Sequence, residues 1–256
     1  MPFAKTDVKL IVTDLDRTLL RDDKTISDYS HKILRKCRDR NIRLVFATAR
    51  PKISVDALNC AIEPDALIYH SGAVIMAGGR TLCRYGIRVS EVREILGKIE
   101  KKFPEATISV IMNDVMYTNF DADMNWAYTR IDFCELPGAE AEKIIVGSIP
   151  LDDIKLAESM LPAEWSLTID SGAFGFIQNN KATKWEGVKT ISAYFGVDTK
   201  NMVSFGDDYS DLEMIKYCGT GVAMRNGIDE AKFAADFVCD TNENDGVAKW
   251  IENGIL

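Results

Sequence analysis

Three short apolar runs, alternating with helical patterns, constrain this chain more than any other feature of its sequence. Val8 to Thr13 (VKLIVT) is a β-rich run that stops at Asp14. Ser27 is placed to cap a helix from about Asp28 to Arg40, with Ile33, Leu34 and Cys37 on one face. Ile42 to Ala47 is a second strand of buried type. A helix from about Ile53 to Cys60 follows Pro51, and Ala66 to Tyr69 is a third strand. Strand–helix–strand–helix–strand calls for a parallel sheet joined by right-handed crossovers.

The rhythm changes after Gly78-Gly79. Paired strands are predicted at Thr107–Met112 with Val115–Asn119, followed by Lys143–Ile149, Ser166–Ile169 and Phe174–Gln178. Helices intervene near Glu91–Phe103 and Asp152–Leu161. Hairpins mixed with helices describe a separate α+β unit. From about Ala182 the first rhythm resumes: helix Trp185–Phe195, strand Met202–Phe205, helix Ser210–Tyr217, strand Gly221–Ala223, and a last helix ending at Trp250–Ile251. One α/β domain, residues 1–81 with 181–256, is thus expected to be interrupted by an inserted one, residues 82–180.

Composition narrows the class. The chain has 256 residues, with 31 Lys+Arg against 39 Asp+Glu and a net charge of −8. Apolar runs are too short to span a bilayer, and the first residues (MPFAKTDVK) hold no apolar leader segment, so a cytoplasmic protein is expected. Cys37, Cys60, Cys83, Cys134, Cys218 and Cys239 are scattered without a C-x-x-C, so neither a zinc site nor a disulfide framework is expected. Acidic balance without a basic cluster argues against nucleic acid. An anionic ligand would need local help from a metal or a few placed cations.

In open α/β sheets, ligands bind beyond the carboxyl ends of the strands. The first strand ends in Asp14-Leu15-Asp16-Arg17-Thr18, the second in Ala47-Thr48-Ala49-Arg50, and a late one in Gly206-Asp207-Asp208-Tyr209-Ser210-Asp211. Lys184 opens the helix after the insertion. Each has an ordinary reading on its own. Asp14 and Asp16 would suit a solvated turn, and Thr48 a helix cap ahead of Pro51 at N1. Asp207, Asp208 and Asp211 would suit a cap or surface turn, and Lys184 an exposed helix face. Together, on one sheet edge, the carboxylates would repel unless a cation sat among them. Hard oxygen ligands select Mg²⁺, and a lysine and a hydroxyl beside it fit a phosphoryl group.

Seven pieces, DLDRTLL (14–20), ATARP (47–51), SGA (71–73), KATKWEGV (181–188), GDDYSDLEM (206–214), GTGVAMRNGIDEAKFAAD (219–236) and TNENDGVAKWI (241–251), carry a family resemblance. The sequence resembles the haloacid dehalogenase-like superfamily of aspartate-nucleophile phosphatases, and more narrowly its Cof-type subfamily IIB. That resemblance implies a Rossmann-like core, its parallel sheet flanked by helices, with an α+β cap of C2B type inserted after the third core strand.

It also implies roles. Asp14 would be the nucleophile, giving an aspartyl-phosphate. Asp16 would protonate the leaving alkoxide and then activate water, which requires a near-neutral poise. Mg²⁺ would be held by the Asp14 and Asp207 carboxylates and the Asp16 carbonyl. Thr48 and Lys184 would bind phosphoryl oxygens. Asp211 would orient Lys184 or a metal-bound water, and Thr18 would tie the loop after Asp16. Arg50, Ser71, Gly72 and Ser210 complete the supporting set. The family commonly has Gly at Arg17 and Ala49, and Asn at Ser71 and Ser210. Arg17 then either adds a cation beside the phosphate or faces solvent.

The cap should exclude water and read the leaving group, with Tyr117, Asn119, Trp126, Tyr128, Arg130 and Asp132 as candidates and packing in the cap core as their alternative. His70 could touch substrate or be packed, and His31 is expected on a helix surface. The implied function is a Mg²⁺-dependent phosphatase of a small phosphorylated metabolite, such as a sugar phosphate, acting as a monomer or small homo-oligomer. Two alternatives stand beside it. A phosphohexomutase would need a second phosphate site among Arg84, Arg88, Arg93 and Arg130. A non-catalytic phosphate sensor should have lost the nucleophile or a metal ligand.

Overall fold

The structure is a computed structural model that describes residues 7–58, 62–121, 128–169 and 174–256. The chain begins with β1 (Leu10–Thr13), α1 (Asp28–Asp39), β2 (Arg43–Ala47), α2 (Lys52–Asp56), β3 (Ala66–Tyr69), β4 (Val74–Ala77) and β5 (Arg80–Arg84). It continues through α3 (Val89–Lys102), β6 (Thr107–Met112), β7 (Val115–Thr118), β8 (Tyr128–Arg130), β9 (Lys143–Gly147), α4 (Ile154–Ser159), β10 (Trp165–Ile169) and β11 (Phe174–Asn179). It closes with α5 (Lys184–Phe195), β12 (Met202–Gly206), α6 (Leu212–Tyr217), β13 (Thr220–Met224), α7 (Asp229–Ala234), β14 (Phe237–Cys239) and α8 (Gly246–Gly254).

Two compact units divide the chain: Met1–Cys83 with Thr183–Leu256, and Arg84–Ala182. The first is built on an eight-stranded sheet of order β14-β13-β12-β1-β2-β3-β4-β5. From β14 to β3 every pairing is parallel. The central strands β1 and β12 are buried along their whole length, as a sheet covered on both faces requires. Burial of each such Ile, Val or Leu contributes about 2 kcal/mol, so Ile11→Ala would cost roughly 3 kcal/mol.

Local sequence explains the helices. Ser27 caps α1, its hydroxyl accepting from the Ser30 amide at 3.0 Å, and Ile33, Leu34 and Cys37 form the buried face. α1 packs on α8, whereas α5 packs on β3 and β4 and α6 on β12 and β13. The chain leaves β1 toward β2 but leaves β12 toward β13, on the other side. Right-handed crossovers in opposite directions put these helices on opposite faces.

The core differs from expectation at its edge. After β3 the chain forms a hairpin, with β4 antiparallel to β3. Gly78 and Gly79 form the two-residue connection from β4 to its neighbour β5, with φ of 56° and 73°. A two-residue turn with both φ positive favours glycine and matches the strand twist. The pair marks a hairpin inside the core sheet, and β5 runs past the boundary expected at residue 81. Strands β8 and β14 and helix α7 were too short to leave a periodic signal. Helix α2 stops at Asp56, before the Cys60 end expected for it, and Cys60 itself lies outside the described residues.

The second unit carries a six-stranded sheet of order β10-β11-β9-β6-β7-β8. Its pairings are antiparallel except β7 with β8. Val92, Ile95, Leu96 and Ile99 of α3 pack with Ile108, Val110, Ile144, Val146 and Ile177 into one core. Their i, i+3, i+4, i+7 spacing is the apolar stripe of a helix lying on a sheet. Among the described residues, no helix is long and apolar enough to cross a membrane.

Candidate active site

Strand order places the site. β1 lies between β12 and β2, all three parallel, so their carboxyl ends open at one edge where the winding reverses. The Asp14 amide donates to the Phe205 carbonyl at 2.9 Å, extending the β1–β12 ladder by one bond. Asp14 and Asp207, distant in sequence, thereby leave adjacent strand ends. The Thr48 amide likewise donates to Ile68 at 2.8 Å, and the Ser71 amide to the Thr48 carbonyl at 2.9 Å.

Lys184 is the first residue of α5, whose cap is Thr183, accepting from the Glu186 amide at 3.1 Å. The side chain of Lys184 is 3% exposed, which excludes the exposed-face reading. Its ammonium donates to Asp14 Oδ1 at 2.6 Å and to Asp211 Oδ1 at 2.6 Å. The other Asp211 oxygen accepts from the amides of Asp207 at 3.0 Å and Asp208 at 3.2 Å. Asp211 is therefore a strut: both oxygens are used to hold Lys184 against Asp14 and to shape the turn after β12. Gly206 permits this, because a Cβ there would lie 2.4 Å from the Asp211 Cβ. Asp208 caps that turn, accepting from the Tyr209 amide.

Asp207 Oδ1 accepts from the buried Thr18 hydroxyl at 2.9 Å. Thr18 lies in a wide turn, Leu15–Leu19, closed by the Leu20 amide on the Leu15 carbonyl at 2.8 Å. Arg17, in the same turn, sits in left-handed backbone with φ 60°. Its Nε lies 3.5 Å from Asp207 Oδ2 while the side chain is largely exposed. It faces solvent and also borders the cluster.

Burial pushes Asp14 up to about 8; Lys184 opposes this, and the Asp211 and Asp207 charges reinforce it. Burial also raises Asp207 to about 6, with Asp211 adding to the rise and Thr18, Lys184 and Arg17 opposing it. Burial works against the Lys184 charge, but Asp14 and Asp211 outweigh it and hold the ammonium protonated.

Asp14, Asp207 and Asp211 each offer a carboxylate oxygen within 4.8 Å of the others, all three residues buried. One ammonium does not balance three buried carboxylates. The donor set is hard oxygen, so the residues fit a divalent cation, which would restore Asp14 and Asp207 to the ionised form. Asp16, expected among the ligands through its carbonyl, keeps its carboxylate outside this cluster.

That carboxylate is gripped elsewhere. Arg50 donates to Asp16 through Nε at 2.5 Å and Nη2 at 2.7 Å, and Lys24 donates to it at 2.9 Å. Burial favours the protonated acid, but the Arg50 and Lys24 hydrogen bonds and charges prevail and lower the Asp16 pKa. The near-neutral poise expected of Asp16 is therefore absent in this conformation.

Thr48 is buried at the end of β2, but it is not a helix cap. Its hydroxyl accepts from the Arg50 amide at 3.1 Å, and Pro51, expected at N1, itself occupies the cap position of α2. Ser71 has left-handed backbone, φ 58°, a conformation that asparagine tolerates better than serine. Gly72 is required by contact: a Cβ there would lie 2.1 Å from the Thr183 carbonyl oxygen, beside the residue that positions Lys184. Ser210 is exposed in the turn just before Asp211.

The inserted unit's candidates mostly serve its own fold. Tyr117 packs against its core. Asn119 accepts from the Ile108 amide at 2.8 Å and donates to the Ala106 carbonyl. Asp132 caps a short turn through the Cys134 amide. Arg130 pairs with Asp121 at 2.6 Å. Tyr128 is half-buried on β8, and Trp126 lies outside the described residues. His70 is buried against Tyr69, with ring centroids 5.1 Å apart. His31 is half-buried on α1, where burial and Arg35 lower its pKa. Lys24 as a partner of Asp16 was missed; it sits in a loop whose sequence carries no sign of a contact eight residues back.

Residues 11–251 match the family of haloacid dehalogenase-like hydrolases. The chain belongs to that family. A 5-amino-6-(5-phospho-D-ribitylamino)uracil phosphatase of Bacillus subtilis, YitU, is 28% identical over 265 residues, spanning 97% of this chain and 98% of the relative. A solved phosphatase, BT1666 from Bacteroides thetaiotaomicron, shares the fold with a TM-score of 0.88 at 21% identity, covering 100% and 98% of the two chains. The subclass IIB sugar phosphatase BT4131 shares it with a TM-score of 0.80 at 22% identity, over 96% and 98%.

Proposed function

We propose that this chain is a Mg²⁺-dependent phosphatase that hydrolyses a small phosphomonoester through an aspartyl-phosphate. The observation that carries this reading is the buried Lys184, shared by Asp14 and Asp211 beside Asp207. Such a group sets one carboxylate facing a cationic, oxygen-lined cradle. Relatives named as phosphatases of a phosphoribityl compound and of sugars support a polyol or sugar phosphate as the substrate class.

In this reading Asp14 attacks phosphorus. A carboxylate–phosphorus bond forms as the bond to the leaving oxygen breaks, and Asp16 gives that oxygen a proton. Water then attacks the acyl phosphate, Asp16 accepts its proton, phosphate departs and Asp14 is restored. Asp16 must first exchange its Arg50 and Lys24 bonds for substrate. Thr48 and Lys184 hold the phosphoryl oxygens, and Asp211 keeps Lys184 in place. The Asp14 and Asp207 carboxylates and the Asp16 carbonyl would hold Mg²⁺. When bound, the ion supplies positive charge where phosphoryl charge gathers.

The mutase reading loses ground because its four arginines are already engaged. Arg84 pairs with Glu142, Arg88 with Glu91, Arg130 with Asp121, and Arg93 donates to the Cys134 and Leu136 carbonyls. The sensor reading asks for a lost nucleophile or ligand, and Asp14, Asp16, Lys184 and Asp207 are all present.

The deciding experiment measures phosphate released from a panel of phosphorylated metabolites, with Mg²⁺ and with EDTA. Release that needs Mg²⁺ and favours sugar or polyol phosphates is expected. An isomerised monophosphate in place of free phosphate would indicate a mutase, and binding without turnover a sensor.

A further inference from the structure

Arg17 stands where the chain would more comfortably carry glycine. Its φ of 60° and ψ of 7° lie in the left-handed region, where a Cβ is unfavourable. The strained residue is nevertheless pinned by a reciprocal clasp. Arg17 Nη2 donates to the Asn226 carbonyl at 2.8 Å, and Asn226 Nδ2 donates to the Arg17 carbonyl at 2.8 Å. Asn226 is itself fixed, its side-chain oxygen accepting from the Asn242 amide at 3.1 Å. The clasp leaves Arg17 Nε 3.5 Å from Asp207 Oδ2.

We infer that Arg17 is a tethered cation that weakens divalent-cation binding at Asp207, and so sets the metal affinity of the site. The inference rests on the metal-dependent reading above. The guanidinium is a cation, and it lies against a carboxylate that a divalent cation would need. Each cation therefore repels the other. Because Arg17 is largely exposed, water and salt screen the repulsion, and the effect is moderate.

The test is calorimetric titration of Mg²⁺ alone into the purified, metal-stripped chain, without substrate. Arg17→Gln removes the charge and keeps the backbone strain. It is expected to bind Mg²⁺ about three- to tenfold more tightly than the unaltered chain, with the gap narrowing as salt rises. Arg17→Lys should stay within about twofold. Arg17→Gly should bind like the Gln variant and melt at a higher temperature, separating the backbone contribution from that of charge. Equal or weaker binding by the Gln variant overturns the inference and leaves the metal reading intact. Absence of Mg²⁺ binding in every form overturns the metal reading, and the inference with it.

Discussion

Arg50 holds Asp16 by two parallel hydrogen bonds, 2.5 and 2.7 Å long, from the end of one strand to the loop beyond its neighbour. A forked guanidinium fixes a carboxylate in plane and in direction. Arg50 is itself steadied by Ser54, to which Nη1 donates at 3.0 Å. This grip ties Arg50 to Asp16, the residue proposed to carry the proton.

Arg50→Gln should therefore damage proton donation more than phosphoryl transfer. Turnover of an alkyl phosphate, whose leaving oxygen needs a proton, should fall about tenfold further than turnover of p-nitrophenyl phosphate. Steady-state rates on the two substrates measure the ratio. Equal losses would assign Arg50 to the phosphoryl group instead.

Asp14→Asn should abolish turnover of both substrates, because an amide cannot form the acyl phosphate. Circular dichroism should be unchanged, since Asn keeps the volume and an acceptor for Lys184. Full activity in a repurified variant would remove Asp14 as nucleophile.

Lys184→Met should cost both activity and stability. It leaves three neighbouring buried carboxylates without their ammonium, and breaking a buried ion pair costs about 3–5 kcal/mol. Denaturant melts give the stability loss. Added Mg²⁺ should recover part of it in the variant, because a cation among Asp14, Asp207 and Asp211 replaces some of the lost charge. A variant as stable as the parent would mean that the triad is not held by Lys184.

Glu142, in the inserted unit, supplies a pH prediction of its own. Burial raises its carboxyl to about 7; Arg84 and the Asn113 amide oppose the rise and Asp114 adds to it. Oε1 accepts from Arg84 and Asn113, whereas Oε2 is buried without a hydrogen-bond partner among the described residues. A carboxyl whose folded pKa exceeds its unfolded value binds the proton more tightly when folded. Its contribution is therefore greatest below about 4.5 and lost as pH rises through about 7. Over that window the parent should lose up to about 3 kcal/mol relative to Glu142→Gln. Thermal melts of both proteins across pH 5 to 8 measure the divergence; parallel curves would refute it.

The site was legible in sequence to the extent that it is made of strand ends. Asp14, Thr48 and Asp207 each follow a β-rich run directly, and parallel pairing alone brings them to one edge. Lys184 was placed by the helix start that Thr183 caps. The pairings among side chains were not legible, because they depend on rotamers across distant segments. Thus Asp211 proved to be a strut with both oxygens occupied, and Asp16 was taken by Arg50 and Lys24. Thr48 read as a cap because Pro51 is good helix-start grammar, yet its hydroxyl closes a tight turn before the helix begins. The strand–helix rhythm changes after Gly78-Gly79 and the domain was expected to end at residue 81; β5 is a half-exposed edge strand and carries little signal. Asn119 and Asp132 were candidates either to read substrate or to serve the inserted unit's own fold, and both hydrogen-bond nearby backbone.

The close approach of Gly72 to Thr183 has a consequence for how this architecture tolerates change. Those residues flank the stretch where the chain leaves the parallel sheet and comes back, so the exit and the return are already fastened together within the core. Closing a loop costs entropy that grows only slowly with its length, and here the closure is made by the core itself. The inserted unit, Arg84–Ala182, is then free to be exchanged, lengthened or rebuilt without disturbing the register on which Asp14, Asp207 and Lys184 depend.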